Sequence, residues 1–569
     1  MRDGCSARRV CVAVGAGMVV AAGTAAAPPD EPLETFVPPP ATHPGVQAQV
    51  TASPAIQGVV LVPNVQITQV NVDALQNNIV GDAANEPSIA VNPLNHNQMV
   101  VGWRQFDSIL SSFREAGVAF STDGGQTWTN NGPIENGVFR SDPVLLADGA
   151  GVFYYNSLRV IGNAFDIQVF KSTTGGSSWG LGNAAFGGDK AWMAVDRSGG
   201  IGNGHLYQAW SVAGNPFSPA TFTRSTDGGL TWSFPQQIPG PPIWGQLAVG
   251  PDGEVYVGGR NASTGSLALT RSDDAKNAAV APTFTFLLFP PITGSLVVNP
   301  PVNPAGLGGQ MNVAVDHSAA RRGNVYVFAS VNPFGADPLD VFFAKSTTNG
   351  VTWSNSIRIN TDVPATNAYQ WFGTMSVAPN GRIDTVWLDT RADPLNATSA
   401  LYYAFSLNGG VTWSNNIQIT TAFDHSLGYP QQQKMGDYFD MVSDDGGADL
   451  AMTATFNGEE DVYYVRINFP PCIGVDRDCN GNGIADDCDT QLGIVPDGNG
   501  NGIPDTCESP VCLADTNRDG VVDFSDVIAV LGQWQVPGLV GRVGDANGDA
   551  QINFTDVTAI LGHWGATCP

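Results

Sequence analysis

The chain has 569 residues, too many for one ordinary domain, and it is rich in turn formers, with 67 glycines, 39 prolines and only 14% charged residues. Its formal net charge of -27 excludes a nucleic-acid or anionic-membrane binder, each of which needs a basic footprint. Two of the eight cysteines stand at positions 5 and 11 and six follow position 471, a clustering that predicts disulfide staples made in an oxidising compartment.

Arg2, Arg8 and Arg9 precede an apolar run over residues 10–27 with small residues at Ala25–Ala27. That layout predicts a secretory signal peptide over 1–27. A Pro/Ala-rich stretch without helix or strand period, 28–57, reads as a flexible linker. No later segment is long and apolar enough to span a bilayer. The mature chain is therefore expected to be secreted or associated with the cell surface.

From residue 58 to about 470 one phrase recurs. Ser121-Thr-Asp-Gly-Gly-Gln-Thr-Trp128 returns with its tryptophan at Trp179, Trp232, Trp353 and Trp413, spaced by 51, 53, 121 and 60 residues. The long gap is about two periods, and a decayed copy, Ser272-Asp-Asp274, lies inside it. Repeats near 50 residues, each rich in short alternating strands, are the mark of a β-propeller with one four-stranded blade per unit. The third position (Asp123, Asp227, Asn408, and less well Thr174 or Thr348) accepts hydrogen bonds from turn amides. The glycine two residues on permits positive φ, and the tryptophan packs on the hairpin that it closes. The phrase resembles the Asp-box of sialidase-like (BNR repeat) proteins, a resemblance that implies a structural role for the boxes, on the face away from any active site.

Each unit opens with a similar inner strand, at Glu86, Asp142, Lys190, Trp244, Gln310, Trp371 and Asp437, which makes seven openings for six boxes. The seventh unit, about 435–469, has no box and no fourth strand. Residues 59–72 are expected to supply that strand and close the ring. Seven blades is the preferred count, with six as the alternative.

Strand alternation puts the residues just before each opening and just after each second strand at one mouth. There the sequence has Glu86, Asp142, Asp189, Trp192, Trp244, Trp371, Asp437 and Tyr438, then Arg104, Arg159, Arg260 and Arg391. Carboxylates, arginines and aromatics on one rim suit a glycan or an acidic sugar. Against the sialidase pattern, Arg104, Arg260 and Arg391 stand as candidate substrate-binding arginines, with Trp192, Trp244 and Trp371 as stacking platforms. Asp142 or Asp189 stands as candidate acid and Tyr438 as candidate nucleophile. No Arg-Ile-Pro signature occurs, and no spacing compels these roles.

Composition shifts at Cys472. In the region 471–510, Asp478, Asn480, Asn482, Asp486 and Asp489, then Asp497, Asn499, Asn501, Asp505 and Glu508, place oxygen side chains at positions one, three, five, nine and twelve of two short loops. A glycine at position six, Gly483 and Gly502, completes each loop, and the pattern is that of a calcium site. These loops resemble thrombospondin type 3 repeats. The region 511–569 adds two longer loops, Asp515, Asn517, Asp519, Val521, Asp523 and Asp526, then Asp545, Asn547, Asp549, Gln551, Asn553 and Asp556. Val521 and Gln551 would offer backbone carbonyls, and helices are expected over 527–534 and 557–564. The pair resembles type I dockerin repeats, which implies Ca2+ as cofactor and a cohesin-like partner. Ala550 in place of the turn glycine, and Leu-Gly-x-Trp in place of a basic helix end, depart from that pattern.

The functional expectation is an exported calcium-binding protein whose propeller recognises a glycan or an extracellular or cell-surface protein and whose tail anchors it. The alternative is a secreted glycoside hydrolase, exo-sialidase-like, with a dockerin-type targeting module.

Overall fold

The computed structural model describes residues 37–38, 59–161, 164–212, 214–287, 291–292, 294–364, 366–471, 484–497, 503–507, 514–517, 519–534, 546–547 and 552–567. The expected signal peptide at 1–27, nearly all of the linker at 28–57, and Cys472, Cys479, Cys512 and Cys568 lie outside them.

Seven antiparallel sheets form the central region, and their inner strands neighbour one another in an unbroken circuit. These strands are Ala83–Val91, Arg140–Ala147, Trp192–Val195, Leu247–Val249, Asn312–Val315, Gln370–Val377 and Asp440–Asp444. The fold is a seven-bladed β-propeller. The last blade takes its outermost strand from the start of the described chain: Val65–Gln69 pairs with Asp461–Asn468, Ile67 facing Val465. Closing the ring this way covers the outer edge of the Asp461–Asn468 strand and ties the start of the propeller to its end. Alternate residues of each strand fill the space between blades, and the aliphatic and aromatic side chains there are almost wholly buried.

The repeated phrase builds one turn many times. In the first copy Ser121 Oγ accepts from the Gly125 amide at 2.9 Å and donates to Asp123, whose carboxylate accepts from the Thr127 amide at 3.0 Å. Threonine does the same work less completely: Thr174 Oγ1 accepts from the Ser178 amide at 3.0 Å. The decayed copy keeps the motif across a longer excursion, with Asp274 accepting from the Thr283 amide at 2.7 Å. These turns share the end of the sheets with the first-to-second-strand turns, so the loops between second and third strands and the inner-strand openings form the opposite face.

The inner strands begin with unusual backbone. Glu86, Asp142, Lys190, Trp244 and Phe372 all have φ between 48 and 54°, and the register slips at the openings of the first, second and sixth blades. A left-handed residue or bulge there re-aims the next side chain toward the centre, at a cost of about 1–3 kcal/mol per non-glycine residue. In the seventh blade a glycine is needed for a second reason: a Cβ on Gly436 would lie 2.8 Å from the Glu86 backbone nitrogen.

Among the described residues three helices follow the propeller: α1 (Asp486–Gln491), α2 (Phe524–Gly532) and α3 (Phe554–Gly562). The last two begin three residues earlier than the apolar spacing suggests. Asp523 with Asp526, and Asn553 with Asp556, form reciprocal capping boxes that satisfy the first-turn amides. Ile484, Cys488 and Leu492 pack into the apolar cluster of the sixth and seventh blades, and the Asn415 amide donates to the Leu492 carbonyl at 2.9 Å. The stretch 484–494 is thus built onto a box turn of the sixth blade. No helix among the described residues is long and apolar enough to cross a membrane.

Candidate functional site

The openings of the first, second, third and seventh blades bring charged side chains into one buried chain of alternating sign. Arg104 Nε lies 3.2 Å from Glu86, Glu86 3.3 Å from Lys434 Nζ, and Lys434 Nζ 2.7 Å from Asp437. Asp437 is in turn 2.7 Å from Lys190 Nζ, which stands 3.6 Å from Asp142. Three cations meet three carboxylates, and every one of these side chains is at most 3% exposed. Burial would be prohibitive for any of them alone; in sequence they compensate one another.

Fixed backbone dipoles complete the arrangement. Asp437 accepts from the Leu307 amide at 2.9 Å, and Asp142 from the Lys190 amide at 3.0 Å. Arg104 also donates to Asn85 at 2.7 Å and to Gln432 at 3.0 Å. The resulting acidities diverge. Burial raises the Glu86 carboxyl to about 8 despite Arg104 and Lys434. Burial pushes Asp142 and Asp437 the same way but is overcome, by Lys190 and Arg104 for Asp142 and by Lys190 and Lys434 for Asp437, so both titrate below the ordinary range.

Of the residues expected at a mouth, Glu86, Arg104, Asp142, Trp192, Asp437 and Tyr438 meet at this centre. Tyr438 donates its hydroxyl to the Pro143 carbonyl at 2.8 Å, and its ring stands edge-on to Trp192, centroids 5.2 Å apart. Asp189 is buried nearby, and its carbonyl accepts from the Ser211 amide. Arg260 lies over the Trp244 ring at 5.1 Å, beside a void of only about 10 Å³ bounded by Lys190, Trp210 and Gly258. Arg391 and Trp371 are elsewhere. Arg391 pairs with Asp389 at 2.7 Å over the Tyr402 ring, and Trp371 is a core residue donating to Ser399 at 3.1 Å. Arg159 pairs with Asp166 at 2.7 Å. Lys190 and Lys434, which hold the chain of charges together, were not expected as site residues. The available signal was Lys190 itself, a cation at an opening position where neighbouring blades carry acids.

A second polar group lies on the box face. His96, Asp444 and Asp449 present ligand atoms within 4.8 Å of one another. Arg466 neutralises both acids, reaching Asp444 at 2.9 Å and Asp449 at 3.0 Å, and His96 Nε2 bonds Asp449 directly at 3.0 Å. Oxygens already facing a guanidinium make an ion-pair cluster, not a cation cage.

In the tail, Asp478, Asn480, Asn482, Asn499, Asn501, Glu508, Asp545, Asp549 and Gln551 lie outside the described residues. Asp486, Asp489, Asp497 and Asp505 are described, the first two buried against the propeller. The loop from Asp515 to Asp526 folds around its own acids. Asp515 accepts from the Gly520 amide at 2.9 Å, and Asp519 from the Val521 amide at 3.1 Å. Asp526, fully buried, accepts from the Asn517 and Asp523 amides at 3.0 and 2.8 Å. Gly520 takes φ 88° at the sharp bend. Asp556 repeats the second arrangement, accepting from the Ala546 and Asn553 amides. An all-oxygen donor set on a loop turned inward by its amides fits a hard divalent cation.

No family model matches the chain, and no curated protein matches it. Among solved structures it is similar to a protein of unknown function from Dyadobacter fermentans DSM 18053, at 13% identity over 71% of this chain and 99% of that one, with a TM-score of 0.41. A Hadza microbial sialidase is similar at 14% identity, over 66% of this chain and 78% of that one, with a TM-score of 0.36. A GH74 xyloglucanase from Xanthomonas campestris is similar at 15% identity, over 64% of this chain and 50% of that one, with a TM-score of 0.36.

Proposed function

We propose that this is an exported, calcium-binding protein whose propeller is a recognition platform for a glycan or for a glycan-bearing or other extracellular protein. In this reading the C-terminal loops, rigidified by Ca2+, anchor the platform to a partner or surface. The observation that carries it is the burial of the candidate catalytic groups: Asp142 and Tyr438 are 1% and 3% exposed, one ion-paired and the other hydrogen-bonded to backbone. A group committed in this way serves the architecture and leaves recognition to the loops above it.

The calcium ion would be held by side chains of Asp515, Asn517, Asp519, Asp523 and Asp526 and the carbonyl of Val521, and it would contribute folding free energy that so small an apolar core lacks. The tail cysteines would staple the same region.

Glycoside hydrolysis is kept as a second reading by one feature. Glu86 and Asp142 belong to one charge network yet have acidities pushed in opposite directions, as an acid and its counter-carboxylate require. Incubating the full chain with sialosides and with plant and algal glycans, first for turnover and then for binding, decides between them. Binding without release of sugar is expected. Hydrolysis that Asp142→Asn or Asp189→Asn abolishes would establish the enzyme instead.

A further inference from the structure

We propose that the cleft between the Ile109 loop of the first blade and the segment leading into the seventh binds a neutral oligosaccharide, not a carboxylated one. This rests on the glycan reading above and gives it a place and a ligand class.

The cleft is a shallow depression open to solvent, with a volume of about 680 Å³, inside the range of about 300–1,000 Å³ usual for small-molecule sites. It opens on the face opposite the box turns, directly over the buried charges: Gln432, between two of its lining residues, accepts from Arg104. Ile109, Tyr429 and Pro430 give it apolar faces, and Ser426, Gln431 and Gln433 give it one hydroxyl and two carboxamides. None of its lining side chains carries a charge. A carboxamide offers a donor and an acceptor side by side, which matches adjacent sugar hydroxyls, while apolar faces suit the C–H faces of a pyranose.

The walls are pre-formed. Gln431 Nε2 donates to the Leu110 carbonyl at 2.7 Å, tying the two sides together. A Cβ on Gly428 would meet the Glu460 nitrogen at 2.6 Å, so that strand of the wall lies tight on its support. Gln433 is held at φ 53°, a strained conformation kept by its surroundings. A rigid cleft loses little entropy on binding.

The electrostatics select against an acidic sugar. The cations nearest the floor are already matched, Arg104 by Glu86 and Lys434 by Glu86 and Asp437. The charge beside the cleft is negative: Asp424 accepts from the Ser426 amide and hydroxyl at 2.9 and 2.6 Å. Glu460, against Gly428, is wholly buried, and burial pushes its carboxyl upward. A sugar carboxylate would face Asp424 while the Arg104 guanidinium is committed to Glu86, whereas a neutral sugar would meet no such repulsion.

The test uses the full-length protein with calcium and titrates it calorimetrically with cellotetraose, xylotetraose, maltotetraose and sialyllactose. At least one neutral oligosaccharide is expected to bind. The double variant Gln431→Ala/Gln433→Ala should weaken that binding at least about tenfold. Ser426→Trp, which fills the cleft from an exposed position, should abolish it with an unchanged melting temperature. Neutral-sugar binding that both variants leave intact overturns the cleft while the glycan reading stands. Tighter binding of sialyllactose than of every neutral probe overturns the ligand class. Failure of all four probes to bind removes the proposal and the glycan reading on which it rests.

Discussion

Trp128, which closes the first repeated phrase, stands edge-on to Tyr464 of the seventh blade, ring centroids 5.5 Å apart at 61°. It therefore packs across a blade boundary, where the sequence reading placed it on its own hairpin. The same box sends Gly125 against the Tyr464 ring, and Trp128 Nε1 donates to Thr68 of the closing strand at 3.1 Å. In the sixth blade Trp413 repeats the relationship with Phe343 of the fifth, at 5.0 Å. The box is a wedge between blades as well as a turn. Trp128→Ala should cost about 3–5 kcal/mol in urea unfolding, while Leu230→Ala, exposed in the same kind of turn, should cost under about 0.5 kcal/mol. Equal effects would remove the wedge.

The seam where the ring closes should weaken as pH rises. Asp461 accepts from Asn71 and Asn457 at 2.5 Å each, and Asp82 from Gln105 at 2.9 Å. Burial raises Asp461 from 3.8 to about 7 and carries Asp82 upward too, each worsened by neighbouring acids. Between those values the folded state holds a proton that the unfolded chain has released. The contribution is complete below about pH 4 and lost by the time pH passes 7. Asp461→Asn should stabilise the propeller at pH 8 by roughly 1–2 kcal/mol and flatten this part of the pH profile. A variant whose stability falls between pH 5 and pH 8 as steeply as the parent's would contradict the assignment.

His96 joins the same two blades at their box-turn end and titrates higher than a free imidazole, chiefly through its hydrogen bond to Asp449. Its contribution is present below about pH 6.5 and disappears as pH rises through the folded value. The side chain is 36% exposed, so screening keeps the effect below about 1 kcal/mol. His96→Gln should lower the melting temperature at pH 5.5 and leave it unchanged at pH 8.5.

Chelation should loosen the tail and spare the propeller. EDTA is expected to speed hydrogen exchange across 514–567 while exchange in the inner strands stays slow. Leu492→Asp should free the stretch 484–494 from the sixth blade even with calcium present, and it should speed exchange of the Asn415 amide, which that stretch now engages. Equal exchange of the tail with and without EDTA would argue against metal-dependent folding.

The seven openings and the turn chemistry were readable because they are periodic and local: a hairpin's register follows from its own alternation and its own turn. The strand taken from residues 59–72 was readable by count, because the last unit lacked a fourth strand. The decayed box at Ser272 was readable for the same reason. Which opening residues would meet was not. Glu86, Arg104, Asp142, Trp192, Asp437 and Tyr438 converge, while Arg391 ends in an ion pair and Trp371, one residue ahead of the position that Glu86 and Asp142 hold in their blades, ends in the core. That division depends on which side chain occupies the left-handed position, charged at Glu86, Asp142 and Lys190 but aromatic at Trp244 and Phe372, and on Leu307 and Lys434 from the segments leading into the fifth and seventh blades. Those segments obey no repeat.

By itself the sequence determined a closed wheel of hairpins followed by oxygen-rich loops, because period and turn type are properties of neighbouring residues. Only the tertiary structure decided that the mouth's charges cancel one another beneath the surface, that an uncharged cleft stands above them, and that 484–494 is part of the sixth blade's surface. Each of these depends on residues tens to hundreds of positions apart, whose distances no local pattern encodes.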